Sequence, residues 1–177
     1  MAKMKEEPQA DIAVIMGSDS DLNEMNPCFS TLDSFGINYT ATIASAHRTH
    51  DYLKRTVSTF ERAGGKILIA AAGGAAHLPG VIAALTPLPV IGVPMASKLL
   101  GVDSLLSIVQ MPAGMPVATV SVGGSKNAAL LAVQILSLND PKLRSRYSKF
   151  RAQQADAVIQ KSKRLKLKGY KNYFEKD

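Results

Sequence analysis

Short apolar runs alternating with amphipathic stretches constrain this chain more than any other feature. Asp11-Ile-Ala-Val-Ile-Met16 and Lys66-Ile-Leu-Ile-Ala-Ala-Ala72 are nearly unbroken apolar segments of strand length, as expected for strands buried on both faces. A third run, Ile37 to Ala44, carries the β-branched and aromatic residues that strands favour. Between them, Leu22, Met25, Phe29 and Leu32 recur at helical spacing from a Ser20 cap to a Gly36 stop, and Pro27 is expected to kink that helix or delay its start. A second helix is expected over about His50 to Ala63, closed by Gly64-Gly65. Further on, the pattern predicts a short helix from Val81 to Leu85, strands over Pro89 to Val93 and Val117 to Val122, and helices near 102–109 and 128–138. A long basic helix starts at Pro141. Strict strand–helix alternation predicts an α/β fold: a three-layer αβα, doubly wound parallel sheet, flavodoxin-like or Rossmann-like, with a long C-terminal helix.

Composition narrows the class. The chain has 177 residues, 46% of them hydrophobic, enough for one domain with a full core. We divide it into an N-terminal extension (1–10), a single α/β domain that includes the C-terminal helix (11–160) and a basic tail (161–177). The N-terminus lacks the apolar segment of a secretory signal, and no run approaches the roughly 20 residues that span a bilayer. Cys28 stands alone, which excludes an intrachain disulfide and a cysteine-based zinc site and fits a reducing cytoplasm. The net charge of +7 is unevenly spread: residues 1–141 hold nine Lys and Arg against eleven Asp and Glu, and residues 142–177 hold twelve against three. The excess therefore belongs to a C-terminal helix and tail, which read as a solvated face. No RNA-binding or helix-turn-helix pattern accompanies it, so nucleic acid is disfavoured as a partner.

Three polar loops follow directly on the first three strands. Gly17-Ser-Asp-Ser-Asp21 offers the hydroxyls of Ser18 and Ser20 with free amides at a helix start, an arrangement that attracts phosphate. The Asp21 carboxylate suits ribose hydroxyls. Read alone, the same residues make an ordinary N-cap. Ser45-Ala-His-Arg-Thr49 sets His47, able to shuttle protons near neutral pH, beside Arg48, whose guanidinium matches phosphate. A loop histidine bonded to backbone is the equal alternative. Gly73-Gly-Ala-Ala-His-Leu-Pro-Gly80 lets backbone approach a planar ring closely, and His77 either donates into the site or caps the next helix. His47 and His50 make a poor metal pair, and no metal site is expected. With right-handed crossovers and strand order 2-1-3-4-5, the three loops become neighbours at the topological switch point, where ligands bind such sheets.

Those three loops, followed by Gly101-Val-Asp-Ser-Leu-Leu-Ser-Ile-Val-Gln-Met-Pro112 and Asn127-Ala-Ala-Leu-Leu131, resemble the N5-carboxyaminoimidazole ribonucleotide mutase family, collinearly over about residues 11–155. His50, Pro27 and the Gly123–Lys126 turn depart from the family pattern. The resemblance implies a cytoplasmic isomerase of de novo purine synthesis, without metal or organic cofactor, typically a homo-octamer whose C-terminal helices reach neighbouring subunits. Its reaction moves a carboxylate from the exocyclic amine N5 to ring carbon C4 by decarboxylation, CO2 retention and recarboxylation. By matching motif, Ser18, Ser20, Ser45 and Arg48 would hold phosphate, Asp21 would hold ribose, and His47 would be the catalytic proton shuttle. Gly74, Ala75, Ala76, His77 and Leu78 would cover the ring and trap CO2. The related family branch that carboxylates aminoimidazole ribonucleotide directly is the first alternative. A flavodoxin-like module that binds a nucleotide or phosphate without turnover is the second.

Overall fold

The computed structural model describes residues 10–174. Five parallel strands, β1 (Ile12–Met16), β2 (Tyr39–Ile43), β3 (Ile67–Ala72), β4 (Val90–Pro94) and β5 (Ala118–Thr119), form one sheet in the order β2-β1-β3-β4-β5. Each is joined to the next through a helix: α1 (Leu22–Ser34), α2 (His50–Arg62), α3 (Leu78–Ala83) and α4 (Val102–Val109). Helix α5 (Ser125–Ser137) follows β5. The order is the doubly wound one expected from the alternation.

Period-two alternation divides the core into two layers. Ala13, Ile15, Leu68, Ala70 and Val90 point to one face, where they join Leu53, Val57 and Phe60 of α2, Leu78 and Ile82 of α3, and Ile108 of α4. The alternate residues, Ile12, Val14, Met16, Ile67 and Ile69, are equally buried on the other face. There α1 and α5 lie side by side, joined by the Ser125 hydroxyl donating to the Glu24 carbonyl at 2.6 Å. Strands β1, β3 and β4 are buried along their whole length, while the edge strand β2 (Tyr-Thr-Ala-Thr-Ile) leaves every residue partly or fully exposed. Its threonines fit that half-wet position. Strand β5 is only two residues long, shorter than the apolar run Val117 to Val122, and α3 starts at Leu78, three residues before the expected Val81.

Pro27 lies inside α1, which begins at Leu22, ahead of the proline. Lacking an amide hydrogen, Pro27 cannot donate to the Asn23 carbonyl, and Asn23, Asn26 and Pro27 are all exposed, so the proline sits on the solvent side of the helix. One turn later the Thr31 hydroxyl donates to the Pro27 carbonyl at 2.6 Å. Cys28 is fully buried on the inner face of α1, and burial pushes its thiol pKa up to about 12.

Residues 137–177 form a second compact unit, described up to residue 174. It holds α6 (Pro141–Lys168), capped by the Asp140 carboxylate, which accepts the amides of Lys142 and Leu143 at 2.9 and 3.0 Å. These amide donations, that of Leu143 foremost, lower the Asp140 pKa. The stretch from residue 161 is helical to Lys168. Chain reversal at Gly169 (φ 72°) then brings Tyr173 under the Arg164 guanidinium, 5.5 Å from its ring centre. Among the described residues, no helix is long and apolar enough to cross a membrane.

Gly92 in β4 is a tight point beneath α4. A Cβ there would lie 2.5 Å from Ile108 Cγ2 and 3.1 Å from Val117 Cγ1. Gly92→Ala is therefore expected to destabilise the fold by about 1–3 kcal/mol through overpacking. An unchanged urea midpoint would show that α4 moves away from the sheet at little cost.

Candidate functional site

The parallel register determines where the loops emerge. Met16 pairs with Ile43 on one side and with Ala71 on the other, and Ala71 pairs with Val93. The chain therefore leaves β1, β2, β3 and β4 at nearly one height, and four β-to-α loops surround a single cavity of about 590 Å³. That volume is typical of small-molecule sites. A larger cavity, about 750 Å³, lies where β4 and β5 begin, but no titratable side chain lines it.

Ser18, Ser20, Asp21, Ser45, His47, Arg48, Gly74, Ala75, His77 and Leu78 all line the site cavity. Ala76 does not. Its side chain is buried in the core, and its amide donates to the Gly74 carbonyl at 2.8 Å, which sets it apart from the other loop residues expected to cover the ring. Ala96, Ser97, Lys98 and Asp103 also line the cavity. The motif reading passed over them because the loop after β4 has neither a histidine nor paired glycines. The signal available was position alone, since every β-to-α loop in this fold opens at the same edge.

The first loop is closed on itself. Ser18 caps a single 3-10 turn (Asp19–Asp21): its hydroxyl accepts the Ser20 amide at 3.3 Å, and the Asp21 carboxylate accepts the Ser18 amide at 3.1 Å. This is a capping box. It occupies two of the amides that the sequence suggested were free for an anion, and the Ser18 hydroxyl itself donates to the Asp19 carboxylate at 3.1 Å. The second loop is equally self-contained. Thr49 Oγ1 accepts the Ser45 amide at 2.9 Å, and its hydroxyl donates to the Ser45 carbonyl at 3.1 Å. Ser45 Oγ accepts from the Arg48 amide and from Arg48 Nε. Ser45 thereby orients the guanidinium, and Thr49 closes the turn that carries His47.

His47 Nε2 and His77 Nδ1 are 2.7 Å apart, with ring planes at 79°. Such a contact holds one proton between two nitrogens: one ring donates and the other accepts, so protonation at both of these positions would break it. Both rings are exposed to the cavity. The pair therefore provides a proton donor and an acceptor at one point, next to the Arg48 cation. His50 is exposed at the first position of α2 and does not line the cavity. Among the described residues, no group of three or more His, Cys, Asp or Glu side chains is placed to hold a metal ion.

Asp21 is the one site residue with a resolved pKa shift: desolvation by burial raises it above 3.8, against the lowering effect of the Ser18 amide. The folded carboxyl thus binds its proton more tightly than the unfolded chain does. The stability this proton confers is complete below pH 3.8 and is lost as pH rises through the folded value. Asp21→Asn keeps an oxygen for the Ser18 amide and removes the buried charge. Its stability relative to the native protein is expected to climb as pH increases from 3.8 and to stay level below it, as read from denaturant midpoints between about pH 3 and pH 7. A flat difference across that range would contradict the desolvation account.

The AIR carboxylase family pattern matches residues 11–157 of this chain. The N5-carboxyaminoimidazole ribonucleotide mutase of Synechocystis is 48% identical over 95% of this chain and 96% of its own length. The phosphoribosylaminoimidazole carboxylase of Schizosaccharomyces pombe is 50% identical over 92% of this chain but only 30% of its own length. The crystal structure of Treponema denticola PurE superposes with a TM-score of 0.82 at 30% identity, covering 88% of this chain and 98% of that one. With the doubly wound sheet and the loops gathered at its carboxyl edge, these likenesses show that the chain belongs to the AIR carboxylase family.

Proposed function

We propose that the chain is an N5-carboxyaminoimidazole ribonucleotide mutase, acting in the cytoplasm through the 11–160 domain. The observation that carries this reading is the His47–His77 pair beside Arg48 in a cavity roofed by the Gly73–His77 loop. Arg48, with the hydroxyls of Ser18, Ser20 and Ser45, holds the phosphate, and Asp21 accepts from the ribose hydroxyls. The reacting ring then lies toward the glycine loop. His47 gives a proton to N5 as the N5–carboxylate bond breaks, releasing CO2 beside the Gly73–His77 loop and leaving the neutral amine. C4 of the electron-rich ring attacks the CO2 carbon, and His47, now neutral, removes the C4 proton. One proton is lent and one returned, so the reaction balances as an isomerisation. Retention of CO2 turns recapture into a near-unimolecular step. His77 sets the resting tautomer and orientation of His47, and a substrate amine competes with it for the same nitrogen.

The equal likeness to the Schizosaccharomyces pombe carboxylase supports a second reading, direct carboxylation of aminoimidazole ribonucleotide by CO2. The two separate in one assay. The mutase converts N5-carboxyaminoimidazole ribonucleotide at low bicarbonate, and efficient use of only aminoimidazole ribonucleotide with excess bicarbonate would sink the first reading. His47→Asn is expected to bind the nucleotide and lose about 10²–10⁴-fold in turnover, the usual contribution of a general acid–base group. Near-normal turnover would remove His47 from this role.

A homo-octamer is the assembly we propose. Supporting it, Val102, Leu106 and Val109 recur on the outer side of α4 with at least half of their surface exposed, next to Leu99 and Leu100 at 65% and 85%. A soluble monomer rarely leaves such a contiguous apolar face to water. Light scattering is expected to give about 150 kDa, eight times the 18.9 kDa chain, and Leu106→Glu is expected to lower it. A monomeric mass for the native protein would overturn this assembly.

A further inference from the structure

The roof of the site is tied down by a residue that never touches the cavity. Ser104, in the first turn of α4, is fully buried, and its Oγ accepts the Gly74 amide at 2.8 Å across 30 residues of chain. Gly74 is left-handed (φ 65°), and a Cβ there would meet nothing within 4 Å, so its conformation is not imposed by crowding. The Ser104 bond is the contact that orients the peptide between Gly73 and Gly74. Everything downstream follows from that orientation. The Gly74 carbonyl accepts the Ala76 amide at 2.8 Å, and the Ala75 carbonyl accepts the His77 amide at 2.7 Å. The Gly74 and Ala76 amides on either side of Ala75 are thereby committed, Ala75 lines the cavity between them, and His77 is held where Nδ1 meets His47. The preceding residue, Asp103, accepts the hydroxyl of Ser97, whose Oγ accepts the Gly101 amide at 3.1 Å. One helical turn thus anchors both the third and the fourth loop.

We propose that Ser104 is a positioning residue that acts through the Gly74 amide to hold the Gly73–His77 loop as the seal retaining CO2 between bond cleavage and bond formation. This proposal rests on the mutase reading. Removing the acceptor leaves the part-buried Gly74 amide without its partner and releases the loop, while the phosphate seat formed by the first two loops is untouched. The consequence is leakage: CO2 escapes before C4 captures it, and aminoimidazole ribonucleotide accumulates.

The test uses substrate labelled in its N5-carboxylate, excess unlabelled bicarbonate, and the full chain. Native protein is expected to pass the label to C4. Ser104→Ala is expected to lose label to solvent about tenfold more often per turnover, the size expected when a bond to a buried group is deleted, with KM for the nucleotide changed less than about twofold. Ser104→Thr, which keeps the hydroxyl, is expected to restore retention. A stability loss alone would leave the label partition unchanged, and equal retention in Ser104→Ala and native protein would overturn the proposal. Amide hydrogen exchange provides a readout independent of activity: the peptide spanning 73–77 is expected to exchange faster in Ser104→Ala, with the 45–49 turn unchanged. If native protein fails to convert the substrate but that exchange still rises, the mutase reading fails and the tether stands. If native protein is active and neither exchange nor label retention responds, the tether is wrong and the mutase reading survives.

Discussion

The parallel ladder through β1 is the constraint on which the rest of the molecule depends. β1 is paired on both sides, and its last residue, Met16, shares a row with Ile43 and Ala71. Loops that are separated by about thirty residues in the chain are thereby delivered to one height. The ladder extends slightly beyond the strands: Gly17 donates to the Ala71 carbonyl at 3.0 Å and Ala44 to the Met16 carbonyl at 2.9 Å. The loop bases are as rigid as the sheet. A catalytic group needs placement within a fraction of an ångström, and a twisted sheet buried on two faces provides that without demanding stiffness of every loop residue.

Much of this was legible in the residues themselves. The uninterrupted apolar runs of β1 and β3 could only be central strands, and glycines at 36 and 64 marked helix ends, both in the left-handed conformation. Three of the four loops at the site announced themselves by histidine, arginine and glycine content. The fourth did not, because Met95 to Gly101 has neither a histidine nor paired glycines and its Ser97 and Lys98 read as ordinary loop residues. Its part depends on which loops share a sheet edge, a long-range fact. Ala76 failed for a complementary reason: composition does not say whether a small residue in a loop faces ligand or core, and here a short turn aims its amide back at Gly74. Pro27 does not delay the start of α1, which begins at Leu22 and carries the proline on its exposed side, and that exposure is a tertiary fact.

The polar groups of the site show a sparing economy. Asp21 is spent on the Ser18 amide, Thr49 on Ser45, Asp103 on Ser97 and Ser104 on Gly74. What faces a ligand includes the Ser45 hydroxyl, the outer nitrogens of Arg48, the ammonium of Lys98, backbone amides of the loops and the histidine pair. Two cations and a few donors are a sensible complement to a phosphorylated, carboxylated molecule. Among the acidic groups at the site, Asp21 accepts the Ser18 amide and Asp103 accepts the Ser97 hydroxyl.

The self-closed turns of the first two loops carry a thermodynamic consequence. Since their internal hydrogen bonds form when the chain folds, the conformational entropy of shaping the seat is lost at that stage and not on encounter with ligand. Affinity there becomes a property of folding stability: whatever loosens the Ser18 cap or the Thr49 clasp transfers an ordering cost to the binding step. The same closure limits how far these loops can adapt, so discrimination among nucleotides falls to the shape the turns already have.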